Sequence, residues 1–430
     1  MAMVMTGSAP VTHGQSDGQT YRAALAMVTT LFFFWGFVTV LNDILVPHLK
    51  SIFDLNYTKV MLIQFAFFSA YFIFSIPSAK VIDAIGYKKT MVAGLVTMGI
   101  GAFLFIPAAS APSFALFLCA LMVLAAGITA LQVAANAYVT VLGPPETASS
   151  RLNLTQAFNS LGTTIGPYIG GLFILNANAS SSAAMQQMSA DALQAYKIQE
   201  ASSVKLPYTV IGLALILFAV VIGMFKLPPM PEARKEAHQK SNASIWKYRH
   251  LVLGMVGIFV YVGAEVSIGS FLINYLTQPY IGNMSEMMAA KYVTYYWGGA
   301  MVGRFIGSAL LQKIKTGTLL GICGLTAALL VCITMLTTGP IAMWSVILVG
   351  LFNSIMFPSI FTLGIARLGP LTGDGSGLMI MAIVGGAILP VVQGAIADRI
   401  GIHHAFILPV LCYLYIAYYA FRGSRPVVPA

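Results

Sequence analysis

Apolar residues in this chain come in long runs broken by short polar stretches, from about residue 22 to about residue 422. A helix needs about 20 predominantly apolar residues to cross the hydrocarbon of a bilayer. On that measure the pattern predicts twelve spans: 22–50, 58–83, 88–109, 113–142, 152–176, 207–226, 250–278, 288–312, 317–338, 340–368, 375–399 and 402–422. Backbone groups in lipid must be paired internally, so runs of this kind form helices.

Two breaks organise the runs. Residues 177–206 read as a polar loop rich in Ser, Ala, Gln and Asn, and residues 227–249 as a Pro-led charged segment. The second break falls between the sixth and seventh spans. The expected division is a disordered cytoplasmic tail (1–21), a six-helix bundle (22–226), a cytoplasmic linker (227–249), a second six-helix bundle (250–422) and a short tail (423–430). Two such halves joined by a long linker are the layout of a duplicated transporter. Prolines and glycine pairs inside spans, among them Pro358, Pro390, Gly170-Gly171 and Gly385-Gly386, permit close approach and bending of helices.

Composition agrees with the pattern. The chain has 430 residues, 58% hydrophobic and 8% charged, with mean hydropathy +0.84. Soluble domains carry about 25% charged residues, so this is an integral membrane protein. The net charge of +10 does not point to nucleic acid, because the basic residues sit in short loops. Their bias toward one set of loops places both termini in the cytoplasm. Cys119, Cys323, Cys332 and Cys412 lie in apolar runs, where thiols pack as small hydrophobes. Neither disulfides nor a metal centre are expected, and no nucleophile–base pair or phosphate loop suggests an enzyme.

Polar groups inside the spans carry the chemistry. Asp43, beside Asn42, and Glu265 are the two acids well inside apolar runs, in the first and seventh spans. A charge at mid-membrane depth costs at least about 2.5–3.5 kcal/mol on insertion scales, so these acids are candidate cation-coupling residues. Gln132 and Asn136 share a face of the fourth span, and Gln156 and Asn159 a face of the fifth. Amides donate and accept at once, which suits sugar hydroxyls. Asn353, beside a kink expected at Pro358, adds a further amide. Phe34, Trp35, Phe65, Tyr295, Tyr296 and Trp297 are aromatic candidates for the apolar face of a pyranose. His48 reads as structural. Asp83, Gly86 and Lys88 between the second and third spans read as a gating clamp, with Arg304 of the eighth span as partner.

The run Asp83…Gly86…Lys88 resembles the loop signature of the major facilitator superfamily, D-[RK]-x-G-[RK]-[RK], with Ala84 and Tyr87 at two of its basic positions. LNDILVPHLK (41–50), LQVAANAYVTVLG (131–143), TASSRLNLTQAFNSLGTTIGP (147–167), FVYVGAEVSIGSFL (259–272), YWGGAMVGRFIGS (296–308) and FNSIMFPSIFTLGI (352–365) are similar to the fucose–proton symporter family, above all its bacterial glucose/galactose branch. The resemblance implies an all-α membrane protein of twelve transmembrane helices in two pseudo-symmetric bundles. It also implies alternating access and cation-driven import of a monosaccharide across the bacterial inner membrane, with no cofactor.

Fucose members pair an acid matching Asp43 with a Glu in the fourth helix. That second position is Gln132 here, and Glu265 stands where they have Gln. The departure favours sodium, with Asp43 as its ligand, or a proton site on Asp43 alone. The family also contains N-acetylglucosamine and mannose carriers. The expected partners are a monosaccharide and the bilayer, with the protein a monomer. The rivals are an exporter of the same fold, disfavoured by the clustered amides, and a membrane sugar sensor, disfavoured by the short linker.

Overall fold

The computed structural model of the chain describes residues 21–39, 57–110, 113–174, 188–202, 204–228 and 244–426. Asn42, Asp43 and His48, with linker residues 229–243, lie outside the described residues.

Among the described residues there is no β-strand. The long helices, in chain order, are α1 (Tyr21–Thr39), α2 (Tyr57–Ile85), α3 (Tyr87–Ser110), α4 (Phe114–Val141), α5 (Ala148–Ile174), α6 (Lys205–Met224), α7 (Arg249–Leu276), α8 (Glu286–Leu310), α9 (Thr316–Leu336), α10 (Gly339–Gly364), α11 (Gly369–Ile400) and α12 (His404–Gly423). Ten of them contain a stretch long and apolar enough to cross a membrane. The exceptions are α5 and α8. At 27 and 25 residues they extend about 40 Å, more than the roughly 30 Å of hydrocarbon. What lowers their hydropathy is the polar chemistry they carry: Ser149, Arg151, Asn153, Gln156 and Asn159 on one, Glu286, Lys291 and Arg304 on the other.

Within the stretch read as a polar loop, the structure forms a helix, Ala190–Ser202. Its sequence, ADALQAYKIQEAS, is dense in good helix formers but too polar to enter a bilayer. The span expected at 340–368 is two helical pieces, Gly339–Asn353 and Met356–Gly364. Pro358 explains the break: its ring crowds the carbonyl four residues back, at Ser354, and it offers no N–H to that carbonyl. A 3₁₀ turn at Ala382–Val384 divides α11 in the same way, just before Gly385-Gly386.

Packing repeats between the halves. α2 lies on α4 as α8 lies on α10, α3 on α6 as α9 on α12, and α7 on α11. The pair α1–α5 matches α7–α11: a Cβ at Gly162 would overlap the Phe33 carbonyl, and one at Gly385 would overlap the Phe259 carbonyl. In both halves the first and fifth helices therefore touch through a missing side chain, the small-residue contact typical of membrane helices. α3 and α4 approach the same way, with Gly94 3.0 Å from the Gly127 carbonyl oxygen as a Cβ would see it. The four cysteines are unpaired.

Candidate functional site

The amides of the first half meet between α4 and α5. Gln132 Nε2 donates to the Tyr71 hydroxyl on α2 at 2.8 Å. One turn on, Asn136 Oδ1 accepts from Gln156 Nε2 at 3.4 Å. Asn136 is wholly buried, and its Nδ2 has no partner among the described residues. Asn159 reaches the other way, its Nδ2 donating to the Phe32 carbonyl of α1 at 3.0 Å. Gln132, Asn136 and Gln156 thus form one buried cluster, and Asn159, half-buried, ties α5 to α1.

The second half builds a carboxylate site. Tyr261, one turn before Glu265 on α7, donates its hydroxyl to Glu265 Oε1 at 2.8 Å. The Asn353 carbonyl lies 3.2 Å from the same hydroxyl. Asn353 Nδ2 donates to the Tyr296 hydroxyl at 2.9 Å, and Tyr296 in turn donates to the Glu265 carbonyl oxygen at 3.4 Å. The break in α10 ends the first piece of that helix at Asn353, and both its side chain and its carbonyl point into this cluster. Trp297 stands edge-on to Tyr296 at 5.1 Å, packs over Gly269, and is 43% exposed. Tyr71 and Tyr261 were not singled out in the sequence; Tyr296 was, as an aromatic candidate, and it enters the cluster through its hydroxyl. The signal for Tyr261 was its spacing, four residues before the embedded acid.

The gating residues separate. Asp83 lies against Gly373 at the start of α11. Gly86 makes the turn between α2 and α3 at φ +81°. Lys88 Nζ donates to the Gly223 carbonyl at 2.7 Å, capping the C-terminal end of α6. Arg304 does not meet Asp83. It sits six residues before the end of α8, about 9 Å into the bundle, and its Nη1 donates to the Ser160 hydroxyl on α5.

Around that contact the halves are joined by neutral hydrogen bonds. Asn153 Nδ2 donates to the Arg304 carbonyl at 2.6 Å, Ser150 Oγ to the Ser308 carbonyl at 2.7 Å, and Ser308 Oγ to the Ser150 carbonyl at 3.0 Å. Ser149 Oγ lies 2.6 Å from Thr362 Oγ1 and accepts from Thr316 at 3.0 Å. Ser376 on α11 donates to the Val133 carbonyl on α4 at 2.7 Å. These contacts close the end of the bundle from which the linker leaves. Toward the opposite end, among the described residues, hydrogen bonding between the halves stops at Thr164 and Met301 Sδ, 3.5 Å apart. Arg151 is buried at the closed end, donating to the Pro144, Val139 and Thr140 carbonyls and so capping α4.

Residues 24–383 match the family model of the Major Facilitator Superfamily. The chain is 53% identical over 425 residues, 99% of its length and 100% of the relative's, to a glucose/galactose transporter of Brucella abortus. It is similar to a crystal structure of the Escherichia coli fucose:proton symporter, with TM-score 0.87 and 34% identity over 93% of this chain and 98% of that one. A structure of the same transporter in the outward conformation also superposes with TM-score 0.87, at 35% identity over the same shares of the two chains.

Proposed function

The chain belongs to the Major Facilitator Superfamily, and from that premise we propose that it is a secondary active symporter importing a glucose- or galactose-like hexose with a cation. The observation that carries the reading is Glu265, a carboxylate buried inside a span, held by Tyr261 and within electrostatic reach of Arg304, which itself bonds the first half at Ser160. A carboxylate at that depth must be neutralised when the site is sealed from water, and an ion travelling with the sugar does this. Asp43 is the second cation-coupling acid of the proposal. Gln132, Gln156 and Asn159, with Asn42 and Asn136, supply donors and acceptors for sugar hydroxyls from the first half. Asn353 and Trp297 close on the sugar from the second.

The halves 22–226 and 250–422 rock about this midplane site, joined by the 227–249 linker. The protein is proposed to work as a monomer in the bacterial inner membrane, with both termini and the linker cytoplasmic. The linker end is then the inner gate, and a bundle closed there faces outward. Kinship with a fucose:proton symporter supports a proton as the ion; glutamine at position 132, which carries no charge, supports sodium.

Uptake into liposomes holding the purified protein tests the reading. Labelled glucose, galactose, mannose, fucose and N-acetylglucosamine are offered under imposed sodium or pH gradients. One hexose is expected to accumulate against its gradient under one of the two ions. Asp43→Asn is expected to abolish accumulation while leaving sugar exchange. Full concentrative uptake by that variant ends the assignment of coupling to Asp43, and the absence of gradient-driven uptake of every sugar ends the symport reading.

A further inference from the structure

Between α5 and the α8–α10 region the inner gate is neutral but for one residue, whereas between α2 and α11 Asp83 lies against Gly373, with Asp374 and Lys80 in electrostatic reach. On α5 the gate residues Ser149, Ser150 and Asn153 meet hydroxyls and carbonyls of the other half. Among the described residues the charged member of the α5–α8–α10 patch is Arg304, and it lies within electrostatic reach of Glu265. It is tied to α5 at two points, its Nη1 on Ser160 and its carbonyl taken by Asn153. Its Nε is buried with no acceptor among the described residues. The guanidinium also lies within electrostatic reach of Glu265 and Tyr261, on its own half of the protein. The ionisable groups facing Glu265 from the packed helices are Tyr261 on α7, Tyr296 and Arg304 on α8, and Tyr413 on α12. Among the described residues Arg304 is the only cation in this set.

One guanidinium thus bonds a neutral hydroxyl across the gap and interacts electrostatically with a carboxylate of its own half. Resting on the symport reading above, we propose that Arg304 is a positioning residue that makes closure of the inner gate depend on the charge of Glu265. When Glu265 is charged, it draws the guanidinium toward α7, where the spare Nε–H finds an acceptor, and Ser160 loses its donor. When an ion or proton neutralises Glu265, the guanidinium is given over to Ser160 and the gate holds shut. An ion bound alone then locks the inner gate. That is what a symporter needs to keep the ion from crossing without sugar. Sugar binding to the amides of α4 and α5, next to Ser160, is the event left to release it.

A cross-link reads gate closure directly. Ser150 and Ser308 face each other across the gate, so Ser150→Cys with Ser308→Cys reports closure in the full-length protein in liposomes, with the four native cysteines replaced by alanine. Glu265→Gln is expected to raise the yield about threefold, the weight of one interhelical hydrogen bond in a membrane. Arg304→Gln is expected to lower it, and Glu265→Gln is expected to have no effect in the Arg304→Gln background. Ser160→Ala, a small change on an ordinary helix face, is expected to cancel the Glu265 effect in the same way. It serves as the second variant if Arg304→Gln does not reconstitute. Sugar-independent leak of the coupling ion is expected to rise in both.

A residue with a merely structural role would lower the yield and leave the Glu265 effect intact. An equal Glu265→Gln increase with and without Arg304 or Ser160 overturns the proposal. Parent vesicles are assayed for sugar accumulation in parallel. If they accumulate none, the symport reading fails whatever the cross-link shows; if they accumulate sugar and the two substitutions act independently, only this inference fails.

Discussion

Gly86 and Gly162 are both glycines at helix contacts, and they are glycine for different reasons. Gly86 has φ +81° and open space where a Cβ would go. Gly86→Ala therefore costs only the left-handed backbone of an L-residue, about 1–2 kcal/mol. It is expected to lower Tm by a few degrees and leave sugar affinity unchanged. Gly162 has ordinary backbone, but a side chain there would run into the Phe33 carbonyl. Gly162→Ala must push α1 off α5 and is expected to reduce folded yield far more than Gly86→Ala, as read by monodisperse protein after extraction. The first of these was legible in the sequence, because a glycine between an acid and paired lysines at a helix junction signals a turn. The second was not, because nothing local distinguishes a packing glycine from a spacer. Arg304 shows the same limit. Its position near the end of a span suggested a loop partner, whereas its partner depends on depth: six residues from the helix end its side chain meets Ser160, and Asp83 meets α11 instead.

Helix identity was read from hydropathy, yet the helices that matter most to the site are the ones hydropathy marks weakest. α5 and α8 fall short of an apolar span, and α5 turns a polar face into the bundle. The serines at 149, 150 and 160 and Asn153 are spaced to share that face of α5, a signal present in the sequence that went unread as a gate. The amide pairs were legible from their spacing of three and four. What each amide bonds was not, since Gln156 bonds Asn136 of another helix and Asn159 bonds the backbone of α1. The break in α10 was legible from Pro358. It has a use: the interrupted helix delivers the Asn353 carbonyl to Tyr261 and its amide to Tyr296. Proline in a helix interior costs about 3 kcal/mol, so Pro358→Ala is expected to hold or raise Tm. Closing the helix turns Asn353 away from the cluster, and the same variant is expected to lose most of its concentrative uptake. Wild-type uptake with raised Tm would show that the break serves packing alone.

The molecule as a whole rests in a balance of small terms. Interhelical hydrogen bonds in membranes are worth about 0.6 kcal/mol each, so the neutral gate between α5 and the α8–α10 region is worth a few kcal/mol. An uncompensated carboxylate inside a membrane helix costs a similar amount, about 2.5–3.5 kcal/mol. Because the two are matched, binding or release of one cation is enough to tip the halves. A gate built of buried ion pairs would be less easily tipped: breaking such a pair leaves an uncompensated charge and costs about 3–5 kcal/mol for a single contact. The balance has a measurable consequence. Ser149→Ala with Ser150→Ala removes contacts to Thr362, Thr316 and Ser308, worth about 1–2 kcal/mol, while Arg304, Ser160 and the amide cluster stay in place. Since 1.4 kcal/mol is a tenfold change in an equilibrium, the population open at the linker end should rise roughly tenfold. Spin labels on Leu116→Cys and Leu336→Cys, near the ends of α4 and α9 away from the linker and both exposed, follow the far side of the bundle. Their distance distribution is expected to gain a shorter component in the double-alanine protein, and saturating sugar is expected to enlarge it in the parent. An unchanged distribution in the double-alanine protein would mean that the serine contacts accompany closure without holding it, and the energy that keeps the linker end shut would then have to lie in the apolar contacts of α2 with α11.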